Sequence, residues 1–311
     1  MSASATSQHR IRGFAACALA GAFWGCGFFF GKVALAEMNV GAMVFYRFLF
    51  ASLGLLPCLF THPPRLNASE WRTLLIASCL GVPAQFLLQF KGLQLTTVSH
   101  ASLMVGTMPV ILAVGATLFT VGGKKESLHR IGWLCLFVSA IGAGLIALAG
   151  HHRPTTNGPS LQGDLLVVVS LMIALFWVLL NKKLVERHSA VVVTAYGLVS
   201  GTIMLFFAAP AIYGLPPVHG ISLKAWSASA AAGLISTAAS TMLWNYGMTQ
   251  VPASQAGVFL NLEPLIGSLL GVFLLGDQLG PPAWIGGALI LTAAITLTMR
   301  SKSSVEEPAL F

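Results

Sequence analysis

The sequence predicts an all-α integral membrane protein with ten transmembrane helices, arranged as two inverted five-helix repeats. Three observations carry that prediction. The first is composition: of 311 residues, 56% are hydrophobic and only 8% charged, and the mean hydropathy is +0.82, too apolar and charge-poor for a water-soluble domain. The second is segmentation. A hydrocarbon core about 30 Å thick takes roughly 20 apolar residues per spanning helix, and polar punctuation divides this chain into ten such runs. The third is self-similarity. The stretch GLQLTTVSHASLMVGTMPVILAVGATLF, Gly92 to Phe119, returns about 155 residues later inside GMTQVPASQAGVFLNLEPLIGSLLGVFLLGD, Gly247 to Asp277, with Pro109 opposite Pro264 and no gap between them.

In chain order the runs are Gly13–Leu35, Gly41–Phe60, Trp71–Phe90, Thr97–Phe119 and Ile131–Ala149, then Asp164–Leu180, Ala190–Tyr213, Ala225–Tyr246, Pro252–Leu275 and Ala283–Met299. The first follows Arg10 and Arg12 like a signal peptide, but its apolar core is too long for one, so it reads as a retained helix. Between the fifth and sixth runs, HHRPTTNGPSLQG (His151 to Gly163) is rich in Pro, Gly and Ser and has no apolar periodicity. It places the boundary: a first repeat over 13–149, a linker over 150–163 and a second repeat over 164–299. Trp24 matches Trp177 at a spacing of 153, and Ile131-Gly132 matches Ile285-Gly286 at 154. Five crossings start the second half on the opposite side of the bilayer from the first, so the repeats are inverted, a construction common in secondary transporters.

The net charge of +8 invites a nucleic-acid partner, but the cations fall in alternate loops. With the N-terminus inside, twelve Lys and Arg lie on the inner side, three lie outside (Lys91, Arg153, Lys224), and Lys32 and Arg47 lie within helices. This asymmetry predicts cytoplasmic termini and a lipid bilayer, not nucleic acid, as the surrounding partner. The five cysteines sit in apolar runs without metal-ligand spacing and read as small buried hydrophobes. No cofactor is implied. Gly25, Gly27, Gly31 and Lys32 lack the Walker A pattern, and HExxH and GxSxG are missing.

Ionisable and polar groups inside the runs are the candidate site. Glu263 lies deep in the ninth run, where a charge costs about 2.5–3.5 kcal/mol and usually faces a cavity or a partner; a protonated carboxyl between packed helices, on a face with Gly267 and Gly271, fits equally. Arg47 could grip a substrate carboxylate with its fork of donors, or snorkel or pair within the bundle; Tyr46 beside it joins the candidate set. Lys32 reads as snorkelling. Gln85 and Gln89 share a helix face and align with Ser240 and Trp244 of the second half. Trp24 and Trp177 occupy matching positions, and aromatic walls with a few polar groups line small-molecule sites; packing is the alternative for each. His100 is either a titrating group or a wetted group at a helix end. Asn245 and Asn261 are further amide candidates, and Asp164 reads as a helix cap. Pro83, Pro109, Pro210 and Pro264 break backbone bonding inside spans and point to a central cavity, while Gly21/Gly25, Gly27/Gly31, Gly197/Gly201 and Gly267/Gly271 allow close helix crossings.

Several of these motifs resemble a known family. The FWG of the first helix, Tyr46-Arg47-Phe48 in the second, SHASLMVGTMPV and SQAGVFLNLEPL before the two prolines, and LLGDQLGPPAWIGGALIL at the end are similar to the EamA family of the drug/metabolite transporter superfamily, over about residues 14–299. The resemblance implies ten helices, cytoplasmic termini and efflux of a small metabolite, such as an amino acid or drug-like compound, across a bacterial inner membrane. VGGKKESLHRIG lacks the acid that the family places directly after the glycine, as Gly276-Asp277 does in the second half. The expected function is therefore alternating-access export of a small molecule, with protons as a possible coupling ion; the alternative is a polytopic membrane enzyme acting on lipid-linked substrates.

Overall fold

A computed structural model describes residues 3–108, 110–111, 115, 130–149, 159–185, 187–250 and 257–301. All regular structure among the described residues is helical. In the first half, α1 (Ala3–Leu35) and α2 (Val40–Thr61) are followed by α3 (Ala68–Cys79), which runs through a π-turn at Leu80–Ala84 into α4 (Gln85–Leu95); α5 (Val98–Val105) and α6 (Arg130–Ala149) come after it among the described residues. The second half has α7 (Leu161–Val185), α8 (Ala190–Tyr213) and α9 (Leu223–Gly233), the last joined through a π-turn at Leu234–Ala239 to α10 (Ser240–Gln250). A 3-10 turn at Gly257–Asn261 then leads into α11 (Leu262–Leu275), and α12 (Pro281–Ser301) closes the order.

Local chemistry sets the ends. Asn39 accepts from the Ala42 amide at 2.7 Å and starts α2. Asn67 and Glu70 form a reciprocal capping box on α3, satisfying two of the amides a helix start leaves without partners. Ser222 caps α9 through the Ala225 amide. Gly276, at φ 70°, supplies the left-handed residue that terminates α11.

Among the described residues, five helical segments are long and apolar enough to cross a bilayer: Ile11–Leu35, Val40–Thr61, Ala68–Leu95, Leu161–Val185 and Val191–Tyr213. Trp133–Ile146, Phe259–Leu275 and Pro281–Ala293 are shorter apolar helices. The bundle's outer surface carries Phe137, Phe206, Phe207, Phe273 and Trp284, whereas Arg47, His100, Asp164, Gln85 and Gln89 are buried. A bilayer solvates that apolar exterior, which water would not.

The helices pack across the halves with exchanged roles. α1 lies against α9 and α10, and α7 lies against α3 and α4; α2 pairs with α8, α5 with α11, and α6 with α12. The two π-turns sit about 155 residues apart and occupy matching places in this scheme. Glycines make the tightest crossings possible. A side chain on Gly21 or Gly25 would strike backbone of Phe259 or Glu263, one on Gly267 or Gly271 would strike the hydroxyls of Ser102 or Ser99, and Gly142 and Gly286 face one another. Close α1–α11 and α5–α11 packing thus depends on the small-residue pairs visible in the sequence.

Two expected continuous spans are broken. α5 ends at Val105; Gly106 and Thr107 turn back onto Leu103 and Met104 before helix resumes near Val110. In the described part of the ninth run a 3-10 turn leads into α11, and Glu263 is the second residue of α11. Pro264 stands in that first turn, where a missing amide costs little, and Pro83 lies in the first π-turn. Pro109 lies outside the described residues.

Candidate functional site

α2 starts at its Asn39 cap and carries Arg47 two turns into the bundle, where the residue is 5% exposed. Its guanidinium carbon lies 4.9 Å from the Phe86 ring centre, 5.2 Å from Phe90 and 5.9 Å from Phe48. Aromatic faces attract a desolvated cation. Its Nε donates to Thr237 Oγ1 at 2.9 Å, and Thr237 in turn donates to the Ala232 carbonyl at 3.0 Å, a bond within the second π-turn region. The hydroxyl's proton is therefore committed, and Arg47 is held by its inner edge. Snorkelling is corrected to an interior position.

Glu263 is half-buried in the first turn of α11, where amides of the helix start favour a carboxylate. Arg47 and Glu263 interact electrostatically through the interior, but no direct ion pair joins them among the described residues. Trp24 of α1 and Trp244 of α10 stand 5.4 Å apart, tilted by 52°. Gln85 and Gln89 are buried on α4, and Gln85 Oε1 has no hydrogen-bond partner among the described residues. Trp177 lies over Gly81 of the first π-turn, where any side chain would run into its indole. Asn261 is buried at the start of α11. The Asn245 side chain lies outside the described residues.

Other candidates are drawn elsewhere. Tyr46 donates to the Pro217 carbonyl at 3.0 Å and packs edge-on against Trp226 at 4.5 Å, tying α2 to α9 and to the segment before it. His100 is 2% exposed, not wetted, and its Nδ1 is 3.1 Å from Asp164 Oδ2. Asp164 is no cap: it is the fourth residue of α7, also accepts from Thr96 Oγ1 at 2.6 Å, and leaves capping to Ser160, which accepts from the Gly163 amide at 3.0 Å. Lys32 does not reach for water either. Its ammonium donates to the carbonyls of Leu93, at 2.8 Å, and of Thr96, satisfying the end of α4. Nearby, Asp277 Oδ2 accepts from the Ser99 amide at 2.8 Å and its hydroxyl at 2.9 Å. The sequence signals missed here were Thr96, Ser99 and Asp277, short polar residues at span ends, and Ser236 and Thr237, which look like ordinary small residues in an apolar run.

An apolar exterior and an all-helical bundle with charges buried inside it, among the described residues, are the features of an integral membrane protein. Residues 11–148 and 161–299 each match the EamA-like transporter family, and the chain belongs to that family. An uncharacterized transporter of Archaeoglobus fulgidus is 26% identical over 284 residues, covering 88% of this chain and 93% of the relative. A protein of Streptantibioticus cattleyicolor described as a probable terminal-alkyne amino-acid exporter is 25% identical, covering 89% and 90%. The inner membrane protein YtfF of Escherichia coli is 25% identical, covering 94% and 96%. A solved crystal structure with 16% sequence identity shares the fold, with a TM-score of 0.64 over 97% of this chain and 99% of that one. The family and these relatives point to a transporter, not an enzyme, and hence to a small-molecule substrate and membrane lipids as partners.

Proposed function

We propose that the chain is a secondary exporter of small metabolites in a bacterial inner membrane, with amino acids or drug-like compounds as substrates. Ten spans form two inverted five-helix halves, 13–149 and 164–299, joined by a linker over 150–163, with both termini cytoplasmic. The observation that carries this reading is the exchange of packing partners: α1 meets α9 and α10 as α7 meets α3 and α4. Halves packed in this reciprocal way can rock between two arrangements of similar energy, the physical basis of alternating access. The exporter name of one relative supports the direction and the substrate class.

Arg47 and Glu263 give the interior a cation and a carboxylate on helices from different halves. A zwitterion presents the complementary pair. Glu263 couples proton movement to export because an acid in an apolar interior changes charge only by taking up or releasing a proton. In proteoliposomes, an imposed pH gradient is expected to accelerate flux of the substrate, and Glu263→Gln to abolish that acceleration while the protein stays folded. Gradient-dependent flux that persists unchanged in the variant removes Glu263 from coupling.

A further inference from the structure

We propose that a cavity of about 120 Å³ between the start of α3 and the end of α7 is a site for the phosphate of an anionic phospholipid headgroup. This goes beyond the transporter reading and does not depend on what the protein carries.

Ser69, Glu70 and Thr73 of α3, Lys183 and Leu184 of α7, and Arg187 just beyond α7 line the cavity. It has room for several waters, each taking about 30 Å³, and hence for a phosphate group. Its charges are unevenly committed. Glu70 belongs to the wall: its carboxylate accepts from the Asn67 amide at 3.0 Å and lies 3.2 Å from His188 Nε2, with a longer approach of 3.7 Å to Arg187 Nη1. Lys183 has no hydrogen bond or ion pair among the described residues, and the Arg187 side chain is 66% exposed. Two cations and one engaged carboxylate leave the cavity with a net positive charge, which suits a monoanion.

Its place in the bundle makes the anion a lipid's. α3 opens the span Ala68–Leu95 and α7 closes the span Leu161–Val185, so the cavity lies where two spans reach the headgroups. Ile76 shares the α3 face of Ser69 and Thr73, and Phe176 shares the α7 face of Lys183, at helical spacing. Both are exposed, 49% and 42%, and give acyl chains an apolar path away from the cavity. The surrounding charge agrees: the chain entering α3, 61–72, and the chain leaving α7, 181–189, carry Arg65, Arg72, Lys182, Lys183 and Arg187 against Glu70 and Glu186. Cations clustered beside a span attract anionic lipid, each by about 5-fold in binding. A free phosphate would gain only the charge contacts, whereas a lipid also lays its chains along Ile76 and Phe176.

The test is native mass spectrometry of the full chain released from detergent micelles, with dioleoyl phosphatidylglycerol and dioleoyl phosphatidylcholine as probes. The two share acyl chains and a phosphodiester, but phosphatidylcholine adds an ammonium that Lys183 and Arg187 repel. Phosphatidylglycerol is expected to bind about 5-fold or more tighter than phosphatidylcholine. Lys183→Gln and Arg187→Gln are each expected to weaken phosphatidylglycerol about 5-fold, and Arg12→Gln, which removes an exposed cation outside the cavity, by less than about 2-fold. Equal binding of the two lipids, or an equal loss in Arg12→Gln, overturns the site and leaves only a diffuse effect of surface charge. Inorganic phosphate at millimolar concentration is expected not to displace the lipid. Displacement would assign the cavity to a soluble phosphate and overturn the lipid as its occupant.

Discussion

Two groups of buried polar side chains lie in this bundle, and they differ in how completely they are bonded. At the end where α1 and α4 finish and α5 and α7 begin, Lys32 binds the Leu93 and Thr96 carbonyls, Thr96 and His100 bind Asp164, and Ser99 binds Asp277. Ser99 also donates to the Ser268 carbonyl of α11 at 3.1 Å. Deeper in the bundle, Arg47 donates through its Nε to Thr237, and among the described residues Ser236 and Gln85 leave polar atoms unpartnered. Glu263 makes no hydrogen bond among the described residues. A network whose members are satisfied locks elements together; one with free donors around a cation is arranged for something that arrives later. The first group thus reads as a strap across α1, α4, α5, α7 and α11, and the second as a receptive site.

The largest effect should come from breaking the strap. Asp164→Ala leaves His100 and Thr96 without their acceptor in a fully buried position, and removing one member of such a group costs about 3–5 kcal/mol. Reversible unfolding by SDS in mixed micelles measures this, and a loss below about 1 kcal/mol would show that the strap carries little. Arg47→Lys should behave the opposite way. Flux at low substrate concentration should fall about 10- to 100-fold, the scale of a lost charged hydrogen bond, while the same unfolding assay moves by less than about 1 kcal/mol. A variant that unfolds as easily as the Asp164 one would place Arg47 in the framework.

The smallest effect lies outside both groups. Glu37, exposed between α1 and α2, accepts from the Ser222 hydroxyl at 2.6 Å and the Ser222 amide at 2.7 Å. These bonds, first the hydroxyl and then the amide, lower its pKa below the ordinary value, with a further contribution from the Lys224 charge. A folded value below the unfolded one stabilises the protein above the unfolded pKa, and the benefit is lost as pH falls through the folded pKa. Glu37→Gln should therefore lower the thermal midpoint slightly at neutral pH and match the parent in acid. A difference that persists at pH 3 would assign the effect to something other than this carboxylate's charge.

The all-helical, apolar character was legible in the sequence because lipid imposes a simple rule of long apolar runs separated by polar connections. The glycine pairs 21/25 and 267/271 also announced close crossings, since only small residues let backbones approach. The candidate site was legible in part. Arg47 and Glu263 stood out because charges are rare in such runs. Their environments were not legible, because the partners of Arg47 come from α4 and α10-side residues about 40 and 190 positions away. His100 and Asp164 each looked like a residue at a helix end, and nothing in their spacing of 64 joins them.

The sequence by itself determined a helical membrane protein, its internal repetition and the identity of its few buried charges, because those properties depend on composition and on period along one chain. Only the tertiary structure decided which charges are bonded and which are left open. It turned Lys32, His100 and Asp164 into a strap and placed Glu263 at a helix start instead of mid-helix. It also set Arg47 among Phe48, Phe86 and Phe90. Hydrogen bonding is a matter of a few tenths of an ångström between elements distant in sequence, and that proximity exists only once the helices have packed.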